Sequence, residues 1–336
     1  MTPYGSTWLK ITLFALISAI GFELVNCQSS PQKNASQDQK TTLNSDSFTV
    51  WHAPDSLLIP ATSEGELILY GKDLLNHTSV YLGPKGTIAQ ISNGMNCQNC
   101  HINAGTRLFG NNYSLVASTY PKHRNRSDQV ESIEFRINDC MKRSLNGKPL
   151  DSLSKEMRAM VAYFKWIGKD VPKGAKLIGS GIEELPFMER AADTLKGRKV
   201  YLAKCQTCHG HNGEGLLNPS KTEYIYPPLW GPNSYNIGAG LFRLSQFAGF
   251  AKNNMPFNQA SHQKPVLTTE EAWDVAAFVN SQPRPVKQYK EDWPKIAKKP
   301  VDHPFGPYAD HFSETQHKYG PFGPIKEEKD KAKSLK

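Results

Sequence analysis

The chain has 336 residues, 38% of them hydrophobic, and a formal net charge of +9. That length allows two modest domains with real cores, and the apolar content excludes a chain that is mostly disordered. The charge comes without any nucleic-acid recognition motif, and residues 283–336 alone carry twelve basic and eight acidic side chains. A solvated basic surface accounts for it, so no nucleic acid is expected as a partner.

Residues 1–27 read as an export signal. Lys10 precedes the apolar run "ITLFALISAIGF", which is too short for a stable membrane anchor. "LVNC" at 24–27 has the form of a lipoprotein processing site with Cys27 as the lipidated residue, although Asn26 stands where a small residue is usual. The alternative is ordinary cleavage that releases a soluble protein. Either outcome places the mature chain in the periplasm, with a lipid anchor through Cys27 in the first case. Residues 28–47 are polar, lack apolar periodicity and read as a flexible tether.

The rest repeats one plan. "EGELILYGKDLLNHTSVYLG" (64–83) reads as helical and leads to "CQNCH" at 97–101; "AADTLKGRKVYLAK" (191–204) leads to "CQTCH" at 205–209. The spacing is that of covalent c-type haem attachment. Cys97 with Cys100, and Cys205 with Cys208, would add across the haem vinyl groups, while His101 and His209 ligate iron from the proximal side. Zinc or a redox dithiol is the alternative for a single motif, and repetition in an exported chain argues against it. Closing helices follow at "SKEMRAMVAYFKWIG" (154–168) and "TTEEAWDVAAFVNS" (268–281). The expected fold is mainly α, with two class I cytochrome c-like domains in tandem and two covalently bound haem c groups. The domains are expected at 48–170 and 189–282, with a Pro- and Gly-containing linker at 171–188. Residues 283–336 are expected to form an irregular arm wrapping the domains, ordered to about Ile325 and disordered beyond.

Each iron needs a second axial ligand. For the second haem, Met255 in "KNNMPFN" lies 46 positions after His209; His211, His262 and Lys252 compete. For the first, the stretch from 102 to about 153 reads as a loop that offers Cys140, His123 and Met141. Cys140 lies 39 positions after His101, and an exported protein seldom keeps an unpaired thiol without a role. Thiolate ligation would lower the reduction potential and thioether ligation would raise it. Around Cys140, residues 120–148 include Arg124, Arg126, Arg136, Lys142, Arg143 and Lys148. Such a run is a solvated face, a haem-propionate site, or a set of guanidinium forks for an anionic substrate.

Four segments then resemble the dihaem thiosulfate dehydrogenases: "GMNCQNCHINAGT", "ESIEFRINDCMKRSLNGKPL", "KNNMPF" and "KPVDHPFGPYADHFSETQHKYGPFGPI". The resemblance implies an oxidoreductase that couples two thiosulfates into tetrathionate at a His101/Cys140 haem. It implies substrate-binding roles for Arg126, Arg136 and Ser144, and passage of two electrons through a His209/Met255 haem. The acceptor would be external, a small cytochrome c or a copper protein of the periplasm, and the reaction could run backwards as tetrathionate reduction. Some members carry a lysine immediately before the methionine and exchange the two with redox state; Asn254 stands there, so that exchange does not carry over. Physically, joining two dianions through sulfur brings their charges to within roughly 7 Å. At an effective dielectric near 20 that repulsion is about 10 kcal/mol, so fixed cations are required. The rival functions are a dihaem electron carrier without catalysis and a cytochrome that conjugates thiosulfate to a carrier protein.

Overall fold

The computed structural model describes residues 49–334. The expected export signal, the tether and Cys27 therefore lie outside the described residues. The fold is mainly helical, with two cytochrome c domains in tandem.

Each domain is built on a crossing of its first and closing helices. In the first domain α1 (Ser63–Asn76) crosses the closing helix Lys155–Ile167; in the second, Thr194–Lys204 crosses Thr269–Ser281. Both crossings require glycine. A Cβ on Gly71 would lie 2.0 Å from the Ala159 carbonyl oxygen, and one on Gly197 would lie 1.8 Å from that of Asp274. Backbones this close leave no room for a side chain, and the same solution in both halves marks the internal repeat.

The helix starts follow their sequences. Thr62 Oγ1 accepts from Gly65 N, and Ser154 Oγ accepts from Met157 N. Thr268 and Glu271 form a reciprocal capping box, which satisfies two donors that the helix leaves free. The apolar faces bury Leu74, Met157, Met160 and Tyr163 in the first core, and Tyr201, Trp273, Val275 and Val279 in the second. Each large side chain removed from water contributes about 1.5–3 kcal/mol.

One helix occupies part of the stretch that reads as a loop, and another leads up to Met255. α2 (Ile133–Arg143) carries Cys140, and a helix at Leu244–Asn254 ends immediately before Met255. In chain order the longer helices as far as residue 281 are thus α1, α2, α3 (Lys155–Ile167), α4 (Thr194–Lys204), α5 (Leu244–Asn254) and α6 (Thr269–Ser281). A two-stranded hairpin, Lys122–Arg124 with Gln129–Glu131, precedes α2.

The segment after α6 is irregular at first but firmly pinned. Asp302, 1% exposed, accepts from Arg243 Nε at 2.8 Å and from Ser245 N at 3.1 Å. His317 is buried between the Val301 carbonyl and Asp310, and stacks on Tyr308 at 3.7 Å. The expected disorder beyond Ile325 is corrected: after α7 (Glu314–Tyr319), α8 spans Gly323–Ser334. Phe322 and Ile325 anchor its start in the second core, and Asp330 pairs with Lys326 and Lys333 along it. Among the described residues no helix is long and apolar enough to cross a membrane.

Candidate active site

α2 sets the first site. Ser132 caps it, its Oγ accepting from Phe135 N at 3.2 Å, and Glu134 occupies the first turn. A helix brings residues four apart onto one stripe. Arg136, Cys140 and Ser144 therefore stand in a row, and all three line a cavity of about 190 Å³ together with Cys97, Cys100 and His101. Met141 lines it too, from the core side, at 1% exposure. His123 does not: it sits half exposed on the hairpin, facing Asp128.

His101 is prepared as a neutral ligand. Its Nδ1 pairs with the Asn111 carbonyl at 2.6 Å. Burial pulls its pKa down to about 4, against that hydrogen bond and with help from Arg136. With Nδ1–H so held, Nε2 keeps its lone pair for a metal. Tyr113 stacks on the ring at 4.4 Å. The preceding turn is fixed by Asn96, whose Oδ1 accepts from Ser79 N, and by Thr78 Oγ1, which accepts from Cys97 N.

Beside the cavity, on the next stripe of α2, Asp139 gathers three guanidiniums. Arg126 Nη1 approaches its Oδ2 at 3.4 Å, Arg136 Nη1 at 3.1 Å, and Arg143 Nε donates to Oδ1. Burial would raise the Asp139 pKa, but Arg136, Arg143 and Arg126 together hold it below the usual carboxylate range. Arg126 is lowered to about 10, first by burial and then by Arg143 and Arg136, against the attraction of Asp139 and Asp292. Arg136 is raised, first by Cys140 and then by Asp139, against burial. Arg126 reaches this cluster through Asp139 and is not among the residues lining the cavity. Ser144 follows the last turn, its N–H bonded to the Cys140 carbonyl at 2.8 Å.

What closes the cluster has no local sequence signal. Arg143 donates to both carboxylate oxygens of Asp292 at 2.7 Å and stacks on Tyr289 at 3.7 Å. Trp293 N donates to the Arg126 carbonyl at 2.7 Å. The second domain caps α2: Asn236 donates to the Lys142 carbonyl through Nδ2 and to the Arg143 carbonyl through its backbone N–H. The only local clue was the i−3 and i+4 placing of Arg136 and Arg143 about Asp139.

The second cavity, about 490 Å³, is lined by Cys205, Cys208, His209 and Met255. His209 Nδ1 pairs with the Pro227 carbonyl at 2.8 Å, and burial lowers its pKa. The rivals to Met255 point elsewhere. Lys252 Nζ donates to Thr269 Oγ1, His211 faces Gln206, and His262 stacks on Phe109 at 3.7 Å. Asn254 is fully buried, its Nδ2 bonded to the Phe109 and Phe250 carbonyls. Both cavities thus offer a paired cysteine motif, a neutral imidazole with its Nδ1 occupied, and a soft sulfur donor, which is a donor set that fits haem c. They share a wall: Met95, Asn96 and Cys100 line both.

Comparison with known proteins identifies the two domains and the family. Residues 88–172 match the SoxA/TsdA cytochrome c domain, and residues 194–283 match cytochrome c. A thiosulfate dehydrogenase of Psychrobacter arcticus is 37% identical over 72% of this chain and 71% of its own length. That of Allochromatium vinosum is 37% identical over 70% of this chain and 84% of its own. The chain belongs to the thiosulfate dehydrogenase family. A solved thiosulfate dehydrogenase (TsdBA) of Marichromatium purpuratum superposes with a TM-score of 0.64 at 31% identity. The match covers 70% of this chain, which spans half the length of that one. Within this family frame the chain is a haem c-binding oxidoreductase, and the Arg136–Cys140–Ser144 stripe lies in the SoxA/TsdA-type domain.

Proposed function

We propose that this chain oxidises thiosulfate and joins two molecules into tetrathionate. The supporting observation is the stripe Arg136–Cys140–Ser144, which faces His101 in one buried cavity beside a guanidinium cluster. In the reaction one S–S bond forms between two thiosulfate dianions, two electrons leave, and no proton is exchanged.

Haem c supplies each domain with a one-electron iron centre. Cys97 and Cys100 would hold the first covalently, Cys205 and Cys208 the second. His101 and Cys140 would ligate the first, and His209 and Met255 the second. Arg136 and Ser144 bind and orient the sulfonate oxygens, a fork and a hydroxyl on one helix face. Arg126 adds positive potential from behind Asp139, offsetting the repulsion between the two dianions. A thiolate ligand from Cys140 would lower the potential of the first haem and a thioether from Met255 would raise that of the second, which favours electron flow from the first domain to the second. The acceptor is an external periplasmic redox protein such as a small cytochrome c, and the same groups serve tetrathionate reduction when the driving force reverses. Export, with a lipid anchor through Cys27, belongs to this reading as well.

The test uses the purified holoprotein. Thiosulfate alone should reduce the haems, and with an artificial acceptor one tetrathionate should form for every two electrons accepted. Haems that stay oxidised under thiosulfate would support a plain electron carrier. Turnover only in the presence of a carrier protein would support the conjugating chemistry.

A further inference from the structure

Among the described residues two arginines are buried, and their surroundings differ. Arg143 lies between two carboxylates. Arg284 is 9% exposed, yet its Nε and Nη1 are buried with no hydrogen-bond partner; only Nη2 is used, donating to the Val279 carbonyl at 2.6 Å. Its plane rests on Tyr235, 4.3 Å from the ring centroid, and lies 5.1 Å from that of Phe242. Tyr235 supplies no counter-anion: it is a phenol whose pKa burial pushes up, against the pull of Arg284, and its hydroxyl donates to Asn280 Oδ1 at 2.9 Å.

A guanidinium removed from water needs an anion or a full set of acceptors. Here the backbone that carries it is fixed. Pro283 O accepts from Gly231 N at 2.8 Å and Pro285 O accepts from Ile237 N at 3.2 Å, clamping the chain on both sides of Arg284. The residues packed against it form part of the second cavity's wall: Tyr235 and Val279 line that cavity with His209 and Met255. Among the described residues no carboxylate pairs with Arg284, while haem c brings two carboxylates of its own.

We propose that Arg284 is the internal counter-charge for a propionate carboxylate of the haem in the second cavity. The site rests on the cytochrome c character of that domain and not on the identity of the substrate. A fixed cation beside this haem disfavours the ferric state, so it raises the potential in the same direction as Met255 does. Arg284 is a positioning residue, acting on the cofactor's periphery and through it on the iron's electron affinity.

The experiment compares wild type, Arg284→Gln and Arg284→Lys as holoproteins. The potential of the higher-potential haem is read by spectroelectrochemistry. Redox-difference infrared spectra are recorded with haem labelled at the propionate carboxyls. In Arg284→Gln the reduced-to-oxidised ratio at fixed ambient potential should fall about tenfold, equivalent to about 59 mV for one electron, and the labelled carboxylate band should move. Arg284→Lys should keep most of the potential while still shifting the band, because an ammonium replaces a planar fork. An unchanged potential and band in Arg284→Gln, with or without a lower melting temperature, would overturn the proposal and leave Arg284 a stacking residue. If Arg284→Gln does not fold, Arg284→Lys decides: a propionate band indifferent to that exchange also overturns it.

Discussion

Asp292 holds Arg143 by two hydrogen bonds of 2.7 Å, although the two residues are 149 positions apart. The arm after the second domain therefore finishes a charge cluster that begins in the first. Replacing Asp292 with Asn leaves Arg143 with Asp139 alone. The expected loss of stability is about 2–3 kcal/mol, read as a lower urea midpoint with unchanged haem content. Loosening of Arg143 should pass through Asp139 to Arg126 and Arg136, raising KM for thiosulfate more than it lowers kcat. An unchanged KM would show that the arm stabilises the fold without tuning the site.

Arg136 stands both on the cavity stripe and on Asp139. Arg136→Lys keeps the charge but loses the planar fork. KM for thiosulfate should rise about tenfold, corresponding to about 1.4 kcal/mol of binding, with a smaller change in kcat. Steady-state rates with an artificial acceptor check this. Equal falls in kcat and kcat/KM would instead place the contact in the transition state only.

The parts of this architecture that are local in sequence could be read from it. Two cysteine–histidine motifs, each between amphipathic helices, announce a repeated domain, and Cys140 stands out because the motifs use four other cysteines. The helix carrying Cys140 was harder to see. Ile133, Ile137 and Met141 do recur at helical spacing, but the charged residues between them read as a solvated loop, and the cap at Ser132 with Glu134 after it was the unused signal. Asp292 and Asn236 leave no local trace, because their partners lie about a hundred positions or more away. α8 escaped for a different reason: only its first turn is buried, and the rest is supported by ion pairs on a polar surface.

Acid should weaken the fold in two stages. Burial lowers the pKa of His303 from 6.5 to about 4, against its bond to the Phe305 carbonyl and aided by Lys299, Arg126 and Arg243. Its contribution is complete above pH 6.5 and is lost as the pH falls toward 4, at most about 3 kcal/mol. Asp139 and Asp302 are both held below the usual carboxylate value; burial opposes this, and the arginines beside each outweigh it. Their contribution is present above about pH 4 and disappears below it. Urea midpoints from pH 8 to 3 should fall through both windows. His303→Asn, which can still donate to the Phe305 carbonyl, should flatten the upper one. A midpoint independent of pH between 6.5 and 4 in the unmodified protein would refute the assignment to His303.

Cys140 carries the strongest expectation. The attachment proposed for both haems uses other cysteines, so Cys140→Met should retain two haems per chain by pyridine haemochrome assay. Exchanging thiolate for thioether should raise the potential of the first haem and remove any low-spin histidine–thiolate signal from the magnetic resonance spectrum of the oxidised protein. It also replaces the thiol that lines the cavity one helical turn from Arg136. Thiosulfate turnover should drop by at least about a thousandfold, more than 4 kcal/mol in the barrier. A Cys140→Met protein that oxidises thiosulfate at the original rate, or a wild-type spectrum without a histidine–thiolate centre, would remove the sulfur of residue 140 from the chemistry.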